Sequence, residues 1–250
     1  MKIVIAPEFQ NLKNEIQDIS ALFNSAKGVI VYEGRNSIRN FNIQGVPVTI
    51  KRFKRVNPAQ QVAYTFFKST KAERAYRYAA IFRERGICTP QEIAYIEDYE
   101  HGLFTTGYFV STTCPDPPAF PTLVPEKDFD KQLAEDLIGH VIHMHDKGII
   151  HGDLNLGNFL FRKNQESGHY SFTVIDINRS KFYESLPDKD TCIKNLSTLT
   201  HRRDLFSFMI SAYAEKRNWP VADTLNKATA YLEELEARHE RKERIKNLFK

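Results

Sequence analysis

The run Pro115-Asp116-Pro117-Pro118-Ala119-Phe120-Pro121-Thr122-Leu123-Val124-Pro125 holds five of the eleven prolines of a 250-residue chain. Proline has no amide hydrogen to give to a helix interior or a central strand. The stretch therefore reads as a stiff connector with neither helix nor strand in it. It divides the chain into a first lobe of residues 1–114, a connector of 115–125 and a second lobe of 126–250. A hydrophobic content of 42% is enough for each side to build a core.

The two sides carry different periodicities. In the first, 28–32, 37–43 and 46–53 read as strands of a small antiparallel meander. Ser69 is a candidate N-cap for a helix over 71–85 that closes at Gly86. Two aromatic-rich runs, 92–98 and 104–111, read as further strands. In the second, Leu133, Leu137, Val141 and Met144 recur at helical spacing within 129–147. Helices also read over 205–213 and 221 to about 244. Strand-like runs there are short: 149–150, 159–161 and 172–175.

Charge is unevenly spread. From Gly34 to Ala72 there are eight basic residues, Arg35, Arg39, Lys51, Arg52, Lys54, Arg55, Lys68 and Lys71, and no acidic one. The tail 237–250 adds a net +4, so a chain of net +4 is net −8 elsewhere. A basic region on an acidic body suits phosphate-rich ligands or an anionic membrane surface. In the tail, Ile245, Leu248 and Phe249 beside Lys246 and Lys250 form a short apolar and basic patch that suits docking on an anionic bilayer. Nothing resembles a groove-reading helix or a base-stacking motif, so nucleic acid is not an expected partner. No apolar run approaches the length of a membrane span, and the start Met1-Lys2-Ile3-Val4-Ile5-Ala6-Pro7-Glu8 breaks its apolar stretch too early for a signal peptide, which gives a cytoplasmic expectation. Cys88, Cys114 and Cys192 lie far apart, against a disulfide framework or a zinc knuckle. His140 and His143 share a helical face, with no Cys or carboxylate at a matching ligand position.

The most specific string is Gly148-Ile149-Ile150-His151-Gly152-Asp153-Leu154-Asn155-Leu156-Gly157-Asn158-Phe159-Leu160-Phe161. It places an aspartate and an asparagine five positions apart on a loop between two apolar strands. Phosphoryl transfer needs this pair: a carboxylate that accepts the proton of a substrate hydroxyl, and an amide oxygen for a divalent metal. Eighteen residues after Asn158, the run 172–176 delivers a second carboxylate, Asp176, at a strand end. Upstream, Lys51 stands on a strand and Glu73 follows 22 residues later on the predicted helix, the spacing of a phosphate-holding lysine braced by a glutamate.

In this order, Lys51, Glu73, a proline-rich connector, His151-Gly152-Asp153 with Asn158, then Asp176, the chain resembles the protein-kinase-like superfamily. It is most similar to the bacterial lipopolysaccharide-core sugar kinases, the Kdo and heptose kinase family. The resemblance implies an α+β, two-lobed protein-kinase-like fold: a small antiparallel-sheet N-lobe with one packed helix, and a mainly helical C-lobe. It implies ATP and Mg2+ as cofactors. Asp153 would be the catalytic base, Asn158 and Asp176 the magnesium ligands, Lys51 the phosphate-positioning lysine and Glu73 the residue that orders Lys51. Adenine would pack near Ser111 to Cys114, and Asp204, opening a long helix, would anchor the catalytic-loop backbone.

The departures from typical protein kinases carry information. Gly152 replaces the arginine that reads an activation-loop phosphate, which argues against control by loop phosphorylation. Asp176-Ile177-Asn178 stands where Asp-Phe-Gly is usual, and no Ala-Pro-Glu element follows. Gly34-Arg35-Asn36-Ser37-Ile38-Arg39 has one glycine where three would cradle phosphate, so Arg35 or Arg39 is a candidate for side-chain contacts instead. The expected activity is phosphorylation of an inner-core sugar hydroxyl, Kdo on an anionic lipid A precursor, with the enzyme peripheral on the inner face of the cytoplasmic membrane. The alternatives are another small-molecule kinase of aminoglycoside or choline type, a RIO-like Ser/Thr kinase, or a pseudokinase that only binds.

Overall fold

The alternation along 37–52 folds as the central hairpin of an antiparallel sheet, β3 (Ser37–Ile43) against β4 (Val46–Arg52), with Ser37 opposite Arg52 and Ile43 opposite Val46. A computed structural model describes residues 1–25, 27–125 and 127–248. Its contacts divide the chain into two units, Met1–Pro115 with Val174–Asn178, and Asp116–Thr173 with Arg179–Lys250.

The first unit is built on a six-stranded sheet in the order β1-β5-β6-β4-β3-β2. The remaining strands are β1 (Lys2–Ile5), β2 (Val29–Glu33), β5 (Glu92–Glu100) and β6 (Leu103–Thr112). One face packs on two short helices, α1 (Lys13–Gln17) and α2 (Ile19–Asn24), where Ile16, Ile19 and Phe23 are fully buried with Val48, Ile50 and Val110. The other face takes α4 (Lys71–Glu84) through Ala72 and Ala75, against Phe53 and Tyr95. Helix and sheet approach so closely that a Cβ on Gly107 of β6 would lie 2.9 Å from Ala72 Cβ. A further helix, α3 (Pro58–Phe66), packs on β6.

To the expected strands and to α4 the structure thus adds β1, α1, α2 and α3. The N-cap of α4 is Thr70 rather than Ser69: Thr70 Oγ1 accepts from Glu73 N at 3.1 Å and donates to the buried Glu97 at 2.5 Å. Thr70 has the partner on the sheet, which ties the helix start to β5.

The second unit is mainly helical. Its helices are α5 (Phe120–Leu123), α6 (Lys131–Asp146), α7 (Lys189–Leu196), α8 (Arg203–Lys216) and α9 (Val221–Leu248), with α8 packed on α6 and α9. Leu133, Leu137, Val141 and Met144 form the buried stripe of α6. Two small antiparallel pairs complete it: β8 (Phe159–Lys163) with β9 (Tyr170–Val174), and β7 (Ile149–Ile150) with β10 (Lys181–Phe182).

The connector departs from its expected lack of regular structure. Pro121 sits in the first turn of α5, where no amide donor is required. The preceding residues run beside β8, using donors that are not proline: Ala119 N donates to Phe159 C=O at 2.8 Å, and Phe161 N to Pro117 C=O at 2.9 Å. At its far end, the Arg202 guanidinium donates to the carbonyls of Leu123, Val124 and Lys127.

In the tail, Arg238 and Arg244 pair with Glu234 and Glu240 one turn away on α9, and Ile245 is half exposed. Phe249 and Lys250 of the expected tail patch lie outside the described residues. Among the described residues no helix is long and apolar enough to cross a membrane.

Candidate active site

Alternation along β4 sends Val48 and Ile50 into the α1–α2 core and Phe53 toward α4, which puts Lys51 on the α4 face. There its ammonium donates to Asp176 Oδ1 at 2.8 Å and lies 5.5 Å from the centroid of the Phe53 ring. Asp176 takes a left-handed backbone, φ +55°. Aspartate tolerates this conformation better than most residues because its short polar side chain bonds locally. Asn178 Nδ2 donates to the same Oδ1 at 2.8 Å. The segment is stitched to the first unit at both ends: Thr89 Oγ1 donates to Val174 C=O at 2.7 Å, and Arg74 Nε to Asn178 C=O at 3.2 Å. Arg74 also donates to Ser69 C=O at 2.7 Å, so one guanidinium clamps the turn after Asp176 to the start of α4.

Glu73 does not brace Lys51 in this structure. It pairs with Arg77, one helical turn on, at 3.5 Å and accepts from Ser69 Oγ at 3.3 Å. The i, i+4 geometry of the helix supplies that partner with no tertiary requirement. Of the two candidates for the sparse glycine loop, Arg39 is committed elsewhere. Its guanidinium donates to Phe23 C=O at 2.8 Å, stacks on the Phe23 ring and pairs with Glu33. Arg35 lies exposed in the turn between β2 and β3.

In the second unit the string 148–158 runs through β7 and the loop 151–158 that leads to β8. Asp153 is oriented from both sides: Oδ1 accepts from Asn155 Nδ2 at 3.1 Å, Oδ2 from Arg179 Nη1 at 3.3 Å, and the carboxylate stays partly open to solvent. Asn158 Nδ2 donates to Asp153 C=O at 2.8 Å. Because a carbonyl accepts only from the amide nitrogen, this bond fixes the Asn158 amide with Oδ1 turned the other way. That oxygen and, in the first unit, a carboxylate oxygen of Asp176 are each hard donors of the kind magnesium takes.

Gly152 is required by its surroundings. A Cβ there would lie 2.1 Å from the Arg179 carbonyl oxygen. The departure from His-Arg-Asp is therefore steric as well as chemical: the turn after Asp176 occupies the space a side chain would need.

The loop rests on a buried polar chain. Asn195 Nδ2 on α7 donates to His151 C=O at 2.7 Å, its Oδ1 meets His145 Nε2 at 3.1 Å, and His145 Nδ1 meets the Tyr213 hydroxyl at 2.8 Å. Burial pushes the His145 imidazole down to about 4, which keeps it neutral. Thr198 Oγ1 adds a bond to Leu154 C=O at 3.0 Å. The anchoring role expected of Asp204 thus falls to Asn195. Asp204 instead takes a two-pronged bond from Arg202, both prongs 2.8 Å, and that guanidinium holds the Asp204 carboxyl down at about 2. His140 is also pushed down to about 4 by burial, between Phe159 and Phe172, whereas His143 is exposed.

Lys51 with Asp176, and Asp153 with Asn158, are thus each brought together, while Glu73 stands apart with Arg77. Sequence reasoning missed Arg74, Asn178, Arg179 and Asn195. Asn178 and Arg179 follow Asp176 directly and Arg74 adjoins Glu73, so adjacency carried a signal. Asn195, 44 residues from His151, had none.

Residues 119–231 match the model of the lipopolysaccharide kinase (Kdo/WaaP) family. No curated protein matches the chain. A solved structure of WaaP in complex with acyl carrier protein matches with a TM-score of 0.60 and 18% identity, over 96% of this chain and 99% of that one. In all, 1643 solved chains match, so structural likeness establishes the fold and leaves the substrate to the site. The chain has a protein-kinase-like fold and, through residues 119–231, resembles the lipopolysaccharide kinase (Kdo/WaaP) family, phosphotransferases that act on sugar hydroxyl groups.

Proposed function

We propose that this chain transfers the γ-phosphoryl group of ATP, with Mg2+, to a hydroxyl of an inner-core lipopolysaccharide sugar, with Kdo on a lipid A precursor as the acceptor. The observation that carries the reading is the second unit's loop. It holds the Asp153 carboxylate between Asn155 and Arg179 and locks the Asn158 amide with its oxygen outward, within the residues that match the kinase family.

Asp153 accepts the proton of the acceptor hydroxyl as the bond to phosphorus forms, and its two flanking donors keep it in the orientation that transfer requires. Lys51, held by Asp176, supplies a positive charge to the nucleotide phosphates, and Arg35 stands in for the missing glycine-loop donors. Asn158 and Asp176 would each offer an oxygen to magnesium, which would supply charge neutralisation at the phosphate oxygens. The acceptor places the reaction at the cytoplasmic face of the inner membrane.

The test is transfer from γ-labelled ATP to purified Kdo–lipid A, with an aminoglycoside, choline and a protein substrate as competing acceptors. Asp153→Asn should lower turnover about 10²- to 10⁴-fold with the fold intact, the usual worth of a general base. Labelling confined to another acceptor would replace the substrate. An Asp153→Asn chain that retains full cellular function would replace the kinase reading with a binding role. Mass analysis of the core from cells lacking the chain should show the loss of one phosphate.

A further inference from the structure

Helix α3 presents apolar residues on both of its sides. Its inner side is used: Tyr64 packs edge-on against Phe104 with ring centroids 5.7 Å apart, and Thr65 Oγ1 accepts from Phe104 N at 2.9 Å. The opposite side, at the i, i+4 positions Val62 and Phe66, lies in solvent, and Phe67 just past the helix end extends it. Val62 is 43% exposed, Phe66 66% and Phe67 78%, and the last two rings touch edge-on at 6.3 Å. Side chains this exposed stand out as a ridge, since a groove would shield them. A contiguous exposed apolar patch with a polar rim marks an interaction site.

The charge around the ridge identifies the partner. Lys54 and Lys68, both exposed, flank it in sequence, and no acidic residue occurs between Gly34 and Ala72. Glu100, the neighbouring carboxylate, is already engaged by Arg55 through two bonds of 2.5 Å. A protruding apolar ridge with a basic rim fits a surface that is anionic at the headgroups and apolar just beneath.

We infer that Val62, Phe66 and Phe67 form a membrane-insertion ridge that docks the first unit on an anionic bilayer, with Lys54 and Lys68 meeting the headgroups. This assigns to α3 the contact that the sequence suggested for the tail. It rests on the proposed lipid-linked acceptor for its purpose but not for its test.

The experiment is co-sedimentation of the full chain with vesicles of phosphatidylethanolamine and phosphatidylglycerol, or of phosphatidylcholine alone, without nucleotide or acceptor. Phosphotransfer to detergent-solubilised acceptor is measured separately, so failure of one reading is distinguishable from failure of the other. The wild-type chain should bind the anionic vesicles, less tightly as salt rises, and not the neutral ones. Phe66→Ser with Phe67→Ser should abolish binding while leaving activity on solubilised acceptor unchanged. Lys68→Glu, which spares the apolar ridge, should weaken binding at least about fivefold, as expected for about 1 kcal/mol per basic residue at such a surface. A Phe67→Trp chain should be quenched by brominated acyl chains. No binding by the wild-type chain, binding that survives the double serine variant, or a ridge variant that alters only the oligomeric state without lipid would each overturn the inference.

Discussion

Two single residues set the character of the site. Asp153 is poised because its oxygens meet two different donors, and Gly152 lets the Arg179 backbone come close enough for one of them. Gly152→Ala would force a Cβ into an atom 2.1 Å away that belongs to backbone and cannot swing aside. Overpacking of this kind costs about 1–3 kcal/mol. The expected outcome is a lower denaturation midpoint together with reduced turnover, since the displaced turn carries the Arg179 side chain that orients Asp153. A variant with normal midpoint and turnover would show that the turn yields freely.

At the scale of elements, the loop 151–158 depends on α7, which no sequence signal marked. Asn195→Ala removes the donor to His151 C=O and takes from the buried His145 Nε2 its Asn195 partner. An unsatisfied buried group costs about 1–3 kcal/mol. Asn195→Ala should therefore destabilise the chain and lower kcat with little change in KM, as read in denaturant melts and steady-state kinetics, because the loss loosens the loop without touching substrate.

The strands and long helices were legible because their apolar residues recur at two or at three and four, as in β4 and α6. The helices that were missed, α1, α2, α3, α5 and α7, are four to nine residues long, too short for a period to declare itself. Their form comes from packing: α2 is fixed by the burial of Ile19 and Phe23 under the sheet. The same distinction holds in the site. Spacing along the chain singled out Lys51, Asp153, Asn158 and Asp176, and the fold pairs Lys51 with Asp176 and Asn158 with Asp153. Spacing did not mark the partners of Glu73 or the anchor of His151, because a competing local ion pair and a long-range hydrogen bond decide them.

For the whole molecule, His140 and His145 of α6, which burial holds neutral, contribute to the acid limb of stability. Burial pushes both imidazoles down to about 4 in the folded chain, against about 6.5 for an ordinary imidazole. Between those values the unfolded chain binds more protons, so stability rises with pH across that window and is lost as pH falls through it. Urea midpoints should climb from pH 4 to about 6.5 and then level off. His140→Phe should flatten the climb and preserve stability at neutral pH, because the His140 Nε2 it removes is buried without a hydrogen-bond partner. An unchanged slope would assign the acid limb to other groups. The contact between Gly152 and the turn at Arg179 also bears on how such a chain can change over generations. No single codon change can put a working arginine at 152: the turn must retreat first, and a retreat alone takes the Arg179 donor from Asp153. A loop-phosphorylation switch is therefore separated from this sequence by paired mutations whose separate intermediates are both impaired, an epistatic barrier that keeps descendants of this chain on the unswitched side.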